Sequence, residues 1–424
     1  MKTLLIIGHH IPEPTTTAAG TRMLHLIGLF QRQGFEITFA TTASVSLKSV
    51  LLEPLDVLLV PIELNKPSFD AFVNKLQPEV VLFDRFVTQE QFGWRVTEIC
   101  PNALTILDTE DLHFLRKARQ EAIKKEIPVT EAQVFTETAK REIASILRCD
   151  IALLISLVEV ALLRDTFNID EQLLCYLPLF ANSLSEEEKN VLPKFEERDG
   201  FMTIGNFLHA PNVDSVRQLK NDIWPKIRQQ LPKATLSIYG NYAPQQIQEM
   251  HNPKEGFLIK GWVSNAEEPF ISAKVCLAPL RFGAGIKGKV IDALTFGTPV
   301  ITTKIGAEGI ISEIETKTET DCESSGENDV PIAIADTTAD FVKKAISFYT
   351  SKLLWETKQE KGFVLVKEKF SETDFEKLFQ LFINDRLQNL NTHREQNFIG
   401  EILKQQQFQA TKYLSKWIEG KASQ

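Results

Sequence analysis

Arg281, Lys287 and Lys289 fall in or beside one glycine-rich loop, Gly283-Ala284-Gly285-Ile286-Lys287-Gly288-Lys289. Glycines let a backbone approach a ligand closely, and cations beside them attract an anion. The apolar run Val275 to Leu280 precedes the loop and reads as a buried strand. An apolar helical start, Val290-Ile291-Asp292-Ala293-Leu294, follows it, and then a second β-rich run at Pro299 to Thr302. The start of such a helix offers unpaired N–H groups and a positive dipole end. This combination suits a phosphate or a diphosphate. The spacing Gly283 to Lys289 also matches G-x-x-x-x-G-K of a nucleoside-triphosphate loop, but the next residue should be Ser or Thr on magnesium and is Val290. A solvated basic turn is the remaining alternative.

A second constellation is Asp108, Glu110, Asp111 and His113, close to Arg116. Charged groups at a strand end beside a cleft can serve acid–base or acceptor-hydroxyl contacts. The same residues could instead begin a helix, with Asp108 or Thr109 as its cap. His9-His10 and Asp84-Arg85 stand at two other predicted strand ends, the first as an acceptor or phosphate contact and the second as an ion pair. No His/Asp/Glu cluster for a metal is visible, and no cofactor is expected. Cys100, Cys149, Cys175, Cys276 and Cys322 have no metal or redox spacing and read as reduced core residues. Arg116, Lys117, Arg119, Lys124 and Lys125, interleaved with Glu121 and Glu126, form either a solvated helix face or a dock for an anionic acceptor or lipid headgroup.

The elements that must position these groups alternate between strand and helix. Leu4–Gly8, Glu36–Ala40, Asp56–Val60, Val80–Asp84, Leu104–Asp108 and Ile151–Ser156 read as one set of strands. Phe201–Gly205, Thr235–Gly240, Phe257–Gly261, Val275–Leu280, Pro299–Thr302 and Pro331–Ala335 read as a second. Such alternation predicts two α/β units, each a doubly wound parallel sheet. Ser156 with Glu159 has capping-box spacing. Ala181 to Gly200 marks the linker, and Val213, Val216, Leu219, Ile223, Ile227 and Leu231 form a helical stripe. Glu313 to Asp329 reads as an acidic surface insertion. From Asp340 onward the pattern is helical, and no tandem repeat is visible.

A chain of 424 residues suits two cores, and 43% apolar residues is the composition of a globular protein. A net charge of −9 argues against nucleic acid as a partner. The N-terminal apolar run is too short for a signal peptide, and Ile151 to Leu163 cannot span a bilayer. The expected location is the cytoplasm, with peripheral contact at the inner membrane face as the only route to a bilayer.

The C-terminal pattern resembles retaining nucleotide-sugar glycosyltransferases of the GT-B fold, the family 4 or group 1 type. Pro279 to Leu294, Gly297 to Thr303 and Gly306 to Ile310 carry the resemblance. Ile204-Gly205-Asn206, Pro211 to Asp214 and Leu236 to Gly240 add to it, and so do Ala18-Ala19-Gly20 with Arg22 and Gly34 to Ile37. It covers residues 1 to about 385. It implies an N-terminal acceptor-side unit (1–185), a donor unit (200–350) and C-terminal helices (351–424) returning to the first unit. It implies transfer of a sugar from a nucleoside-diphosphate sugar to a glycan or lipid-linked acceptor, a step of polysaccharide assembly. A departing phosphate oxygen would take the acceptor proton on the same face, with no metal. By the resemblance, Arg281 and Lys289 would serve catalysis; Asp108 and Asp111, from the strand-end cluster, are the candidates opposite them. Gly20, Gly205, Gly240, Gly283, Gly285, Lys287 and Gly288 would hold the donor. Trp262 and Val263 would line the base, Asp292 the ribose, and Gly306, Ala307 and Glu308 the sugar. The family's usual Glu, seven residues, Glu becomes Ala284 and Asp292, and its usual Arg and Lys after Gly205 are replaced by Asn206 to His209. These departures also admit a catalytically degenerate GT-B protein that binds sugar nucleotides or partners.

Overall fold

Leu4-Leu5-Ile6-Ile7 is apolar at every position, as a parallel strand covered on both faces requires, and all four residues are buried. The computed structural model describes residues 2–311 and 330–422. Cys322 and the acidic stretch from Glu313 to Asp329 lie outside the described residues. The first lobe holds strands β1 (Lys2–Gly8), β2 (Phe35–Thr41), β3 (Val57–Pro61), β4 (Val80–Asp84), β5 (Leu104–Asp108), β6 (Ile151–Leu154) and β7 (Leu174–Tyr176). They form one seven-stranded sheet in the order β3-β2-β1-β4-β5-β6-β7, parallel throughout. The second lobe holds β8 (Phe201–Ile204), β9 (Leu236–Tyr239), β10 (Phe257–Gly261), β11 (Val275–Ala278), β12 (Val300–Thr302) and β13 (Ile332–Ile334). Its order is β10-β9-β8-β11-β12-β13, again parallel.

In each sheet the strand order reverses beside the lobe's first strand. Parallel α/β sheets open a ligand crevice at that reversal, outside the carboxyl ends of the strands. The crevice of the first lobe lies after Gly8 and Asp84, and that of the second after Ile204 and Ala278. The two crevices face each other.

Local structure departs from the sequence reading at several elements. Leu174–Tyr176 is a strand of three residues, too short to show periodicity. The linker contains a helix, Glu186–Val191, closed by a capping box between Ser185 and Glu188. Ser156 does cap its helix, accepting from the Val158 amide at 3.3 Å. Glu159, however, reaches away to the Leu112 amide at 2.8 Å, so no box forms there. The stripe from Val213 to Leu231 is helical but passes through a wider π turn at Leu219–Ile223, just before Pro225, whose missing N–H and ring an unbroken α-helix would not accommodate.

The helix Lys352–Lys369 packs on the second lobe, where Trp355, Leu365 and Val366 are buried. The chain then crosses beside the linker, where the Ala181 amide donates to the Phe370 carbonyl at 3.0 Å. The helix Glu372–Gln388 places Phe379 and Ile383 in the first lobe's core, with Phe379 edge-on to Phe30 at 5.4 Å. Beyond it, the helix Phe398–Ala422 lies across helices Arg85–Ile99 and Glu137–Arg148. Cys100, Cys149, Cys175 and Cys276 are buried thiols. Among the described residues no helix is long and apolar enough to cross a membrane.

Candidate functional site

A cavity of about 510 Å³ lies between the two crevices. Its second-lobe wall is built by the loop after β11 and the helix Gly288–Thr295. Lys287 is the N-cap of that helix and gives it no side-chain hydrogen bond. The first amides of the helix are left for a ligand. The Lys287 amine donates to the Gly285 carbonyl at 2.6 Å. The Lys289 amine donates to Asn212 Oδ1 at 2.8 Å. Among the described residues neither amine is salt-bridged to a carboxylate. Burial pushes Lys289 down to about 8 and also lowers Lys287, which Glu308 partly offsets. A desolvated ammonium held by a neutral amide is an electrostatic debt that an anionic ligand would cancel. One turn further, Asp292 also lines the cavity. Its side chain is open to cavity water but surrounded by protein, and this partial desolvation raises the carboxyl to about 7.

The first-lobe wall is strained. Arg85 follows β4 with φ +73°, and Glu110 follows β5 with φ +60°. Such backbone costs of order 1–3 kcal/mol at a non-glycine residue and clusters at functional sites. Asp84 and Asp108 are register partners, so the two strained residues stand side by side, and Arg85 Nη2 meets Glu110 Oε2 at 2.7 Å. Burial lifts Glu110 to about 7, aided by Asp84 and Asp108 and opposed by Arg85. Burial would also raise Asp111, but Arg116, His113 and His209 hold its carboxyl below the usual range. Burial lowers His113 to about 3 and His209 to about 4, so both rings are neutral at physiological pH. A second compartment of about 190 Å³ adjoins the main cavity and shares His10, Arg85, Glu110 and Asn206 with it.

Helix capping in this wall differs from the sequence reading. The helix His113–Lys124 has Leu112 as its N-cap, and neither Asp108 nor Thr109 plays that part. Its first amides are taken by a buried carboxylate from another helix, Glu142, which accepts from His113 and Phe114 at 3.1 and 2.9 Å. This leaves Asp111 and Arg116 free to pair at the cavity surface.

Of the residues singled out from the sequence, Asp111, Gly205, Gly240, Trp262, Val263, Gly283, Lys287, Gly288, Lys289 and Asp292 line the main cavity. Gly20 lines the smaller one; a Cβ there would meet the Glu13 backbone at 2.5 Å. At Gly240, with φ +147°, a Cβ would strike the Gly205 carbonyl at 1.9 Å, so two cavity-lining strand ends are brought together by one missing side chain. Arg281, Asp108, Gly285, Gly306, Ala307 and Glu308 do not line the main cavity. Arg281 lies on the rim, ion-paired to Asp214. Asp108 is fully buried and salt-bridged to Arg22 Nη2 at 2.8 Å. Gly285, with φ +61°, faces the opposite lobe: a Cβ would meet Ile155 Cδ1 at 2.8 Å. Gly306 and Ala307 are buried behind the cavity.

Glu308 is engaged by Arg119 of the other lobe at 2.7 and 2.8 Å, and the same guanidinium donates to the Gly283 carbonyl at 2.8 Å. The basic run of the first lobe is therefore divided. Arg116 and Arg119 turn into the cleft, Lys124 pairs with Glu121 at 2.6 Å, and Lys117 faces outward. His209, Asn212 and Asn241 line the cavity as well; His209 is the N-cap and Asn212 lies in the first turn of the helix Ala210–Gln218, Asn241 follows a strand, and such isolated polar residues carry no spacing that would have found them. Trp262 is pinned between lobes, its Nε1 donating to the Thr15 carbonyl at 3.3 Å and Lys48 lying over its ring. Among the described residues no group of three His, Cys, Asp or Glu side chains could hold a metal ion.

The paired parallel sheets, the facing crevices and the returning C-terminal helices decide the architecture. The fold is GT-B. Residues 198–349 match the family model of group 1 glycosyl transferases, a span that contains the whole second-lobe wall of the cavity. Solved structures share the GT-B arrangement over nearly the full chain. Sucrose-phosphate synthase from Thermosynechococcus elongatus is similar with a TM-score of 0.65 at 14% identity, covering 91% of this chain and 99% of that one. Anabaena HepE, in complex with UDP and glucose, has a TM-score of 0.63 at 11% identity over 91% of this chain and 100% of its own. The pneumococcal O-GlcNAc transferase GtfA, in complex with UDP and GlcNAc, has 0.62 at 10% over 91% and 99%. No curated protein sequence matches the chain.

Proposed function

We propose that this GT-B protein transfers a sugar from a nucleoside-diphosphate sugar to a glycan or lipid-linked acceptor, with retention and without a metal. One observation carries the reading: Lys289, desolvated and hydrogen-bonded to Asn212, stands with Lys287 at the uncapped start of a helix that opens on the interlobe cavity. A diphosphate there would meet two ammonium groups and the helix amides together. As the bond between the anomeric carbon and the β-phosphate oxygen breaks, charge grows on that oxygen, and Lys287 and Lys289 stabilise it. The same oxygen takes the acceptor proton, so the new glycosidic bond forms on the face that the diphosphate leaves. Asp292, one turn along, is suited to the donor ribose, and Trp262 and Val263 to the base. Glu110, held by Arg85 between the two compartments, is suited to orienting an acceptor hydroxyl, with Asp111 and Arg116 beside it.

UDP-sugars are the first donors to test, because similar structures were solved with UDP. Titration calorimetry with UDP and with UDP-, GDP- and dTDP-sugars, in EDTA, tests the binding half. Slow sugar-nucleotide hydrolysis without acceptor tests the chemical half. Absence of any nucleotide binding would reject the reading. Binding without hydrolysis or transfer would favour a degenerate sugar-nucleotide binder. That second reading draws on Ala284, which lines the cavity at the family's first Glu position, and on Arg281, whose pairing with Asp214 keeps it on the rim.

A further inference from the structure

The helix Phe398–Ala422 has 25 residues, roughly 37 Å of axis. One of its faces is docked. Ser415 Oγ accepts from Arg95 Nη2 at 3.0 Å and donates to Asn65 at 2.9 Å. Gln407 donates to the Glu90 carbonyl, and Gly400 lies so close to Leu147 that a Cβ would strike its carbonyl at 2.1 Å. The opposite face bears large apolar side chains that are exposed, Trp417 with the Lys421 amine over its ring at 3.9 Å. Phe398, Ile399 and Ile402 are exposed at one end, and Tyr413, Leu414, Trp417 and Ile418 at the other. Gln405, Gln406 and Ala410 separate the two groups and are exposed too.

We propose that this face is the interface of a homodimer in which the terminal helices of two copies pack antiparallel about a two-fold axis. The pattern is complementary to itself when reversed. With the axis midway along the helix, Ile399 of one copy lies beside Trp417 of the second, Ile402 beside Leu414, and Phe398 beside Ile418. The polar middle then meets itself. An isologous interface requires this self-complementarity. Charge follows the same rule: Glu401 lies at the first end, and exposed Lys416 at the second, on the flank that the reversal brings opposite Glu401. Seven apolar side chains from each copy, at roughly 100 Å² apiece, would bury about 1,400 Å², within the range of specific interfaces. A lipid surface is the competing occupant, since Tyr413 and Trp417 with Lys416 and Lys421 suit a headgroup region. A chain of net charge −9 disfavours an anionic bilayer, and a membrane needs no Glu401 opposite Lys416. The dimer is independent of the proposed reaction.

Sedimentation velocity and light scattering on the full chain test it. The expected result is twice the 48.0 kDa chain mass at about 10 µM, an ordinary affinity for such an interface. Trp417→Asp and Ile399→Asp should each weaken association at least about 100-fold, with far-UV circular dichroism unchanged because both residues are exposed and melting still cooperative, lowered by no more than the lost association contributes. Should Trp417→Asp fail to fold, Tyr413→Lys carries the same test. Glu401→Lys and Lys416→Glu should each weaken the dimer about two- to five-fold, and the double swap should restore it. Within one helix these residues are roughly 22 Å apart, so only a second copy can produce that rescue. A monomeric wild-type chain would overturn the proposal, as would a dimer indifferent to these substitutions or a swap without rescue. Flotation with phosphatidylglycerol vesicles by a monomeric chain, lost in Trp417→Asp, would assign the face to a membrane instead.

Discussion

Consider the replacement of Lys289 by methionine. In the free protein, burial holds the ammonium down to about 8 against an ordinary 10.5. A bound diphosphate would bring the pKa back toward the ordinary value. At 1.36 kcal/mol per unit, full recovery corresponds to about 3 kcal/mol, an upper bound on what this amine contributes to nucleotide affinity. Lys289→Met should therefore weaken UDP binding by up to about 300-fold. The pH dependence has a definite sign. The diphosphate is already ionised above neutrality, so affinity should fall only as pH rises through about 8, by up to about tenfold per unit.

Calorimetry in buffers of different ionisation enthalpy should register uptake of about half a proton per nucleotide at pH 8. Stability should move the opposite way. A lysine whose folded pKa is depressed costs folding energy below that pKa, and the cost fades as pH rises from about 8 toward 10.5. Lys289→Met should thus raise the free protein's melting temperature at pH 7 by about 2–5 °C while abolishing its stabilisation by UDP. A flat affinity profile between pH 7 and 9.5, no proton uptake, and wild-type affinity in the variant would refute the reasoning.

Asp292→Ala should weaken nucleotide binding by about 1.5–3 kcal/mol if the carboxylate accepts ribose hydroxyls; unchanged affinity in calorimetry would remove it from the ribose site. Arg281→Ala, which breaks only a rim pair with Asp214, should leave UDP affinity within a few-fold and kcat within about tenfold, well short of the loss in Lys289→Ala; equal losses in steady-state kinetics would put the guanidinium on the diphosphate. Glu110→Gln should lower kcat with donor affinity intact, and Glu110→Gly should do so while relieving the φ +60° backbone and stabilising the fold by up to about 1 kcal/mol; a kcat unchanged in both would exclude the acceptor role. Gly285→Ala, whose Cβ would meet Ile155 at 2.8 Å, should impair transfer without unfolding either lobe, read as lost activity with two intact melting cores.

The alternation of apolar runs with helical stripes already specified two parallel sheets, because a strand covered on both faces must be apolar throughout, as Leu4–Ile7 and Val275–Ala278 are. The cationic glycine loop was legible for a related reason. Lys287, Lys289 and Asp292 lie close in the chain, and the turn from strand to helix carries them to one wall together. Gly285 and Arg281 show the limit of that reading. The sequence marks a glycine and an arginine beside an anion loop. It cannot say that the glycine makes room for Ile155 of the other lobe, or that Asp214 claims the guanidinium.

Only the tertiary structure decided the first-lobe wall. Asp108 looked like a site carboxylate and is a buried partner of Arg22. Glu142 and Glu159 lay in apparently ordinary helices and prove to bind the amides at the start of another one. Arg85 and Glu110 meet because Asp84 and Asp108, 24 positions apart in the chain, are register partners. Periodicity is a local signal that follows one element at a time. Pairing between strand ends, and between lobes, depends on the packing of segments far apart in the chain, and that packing is where the site is made.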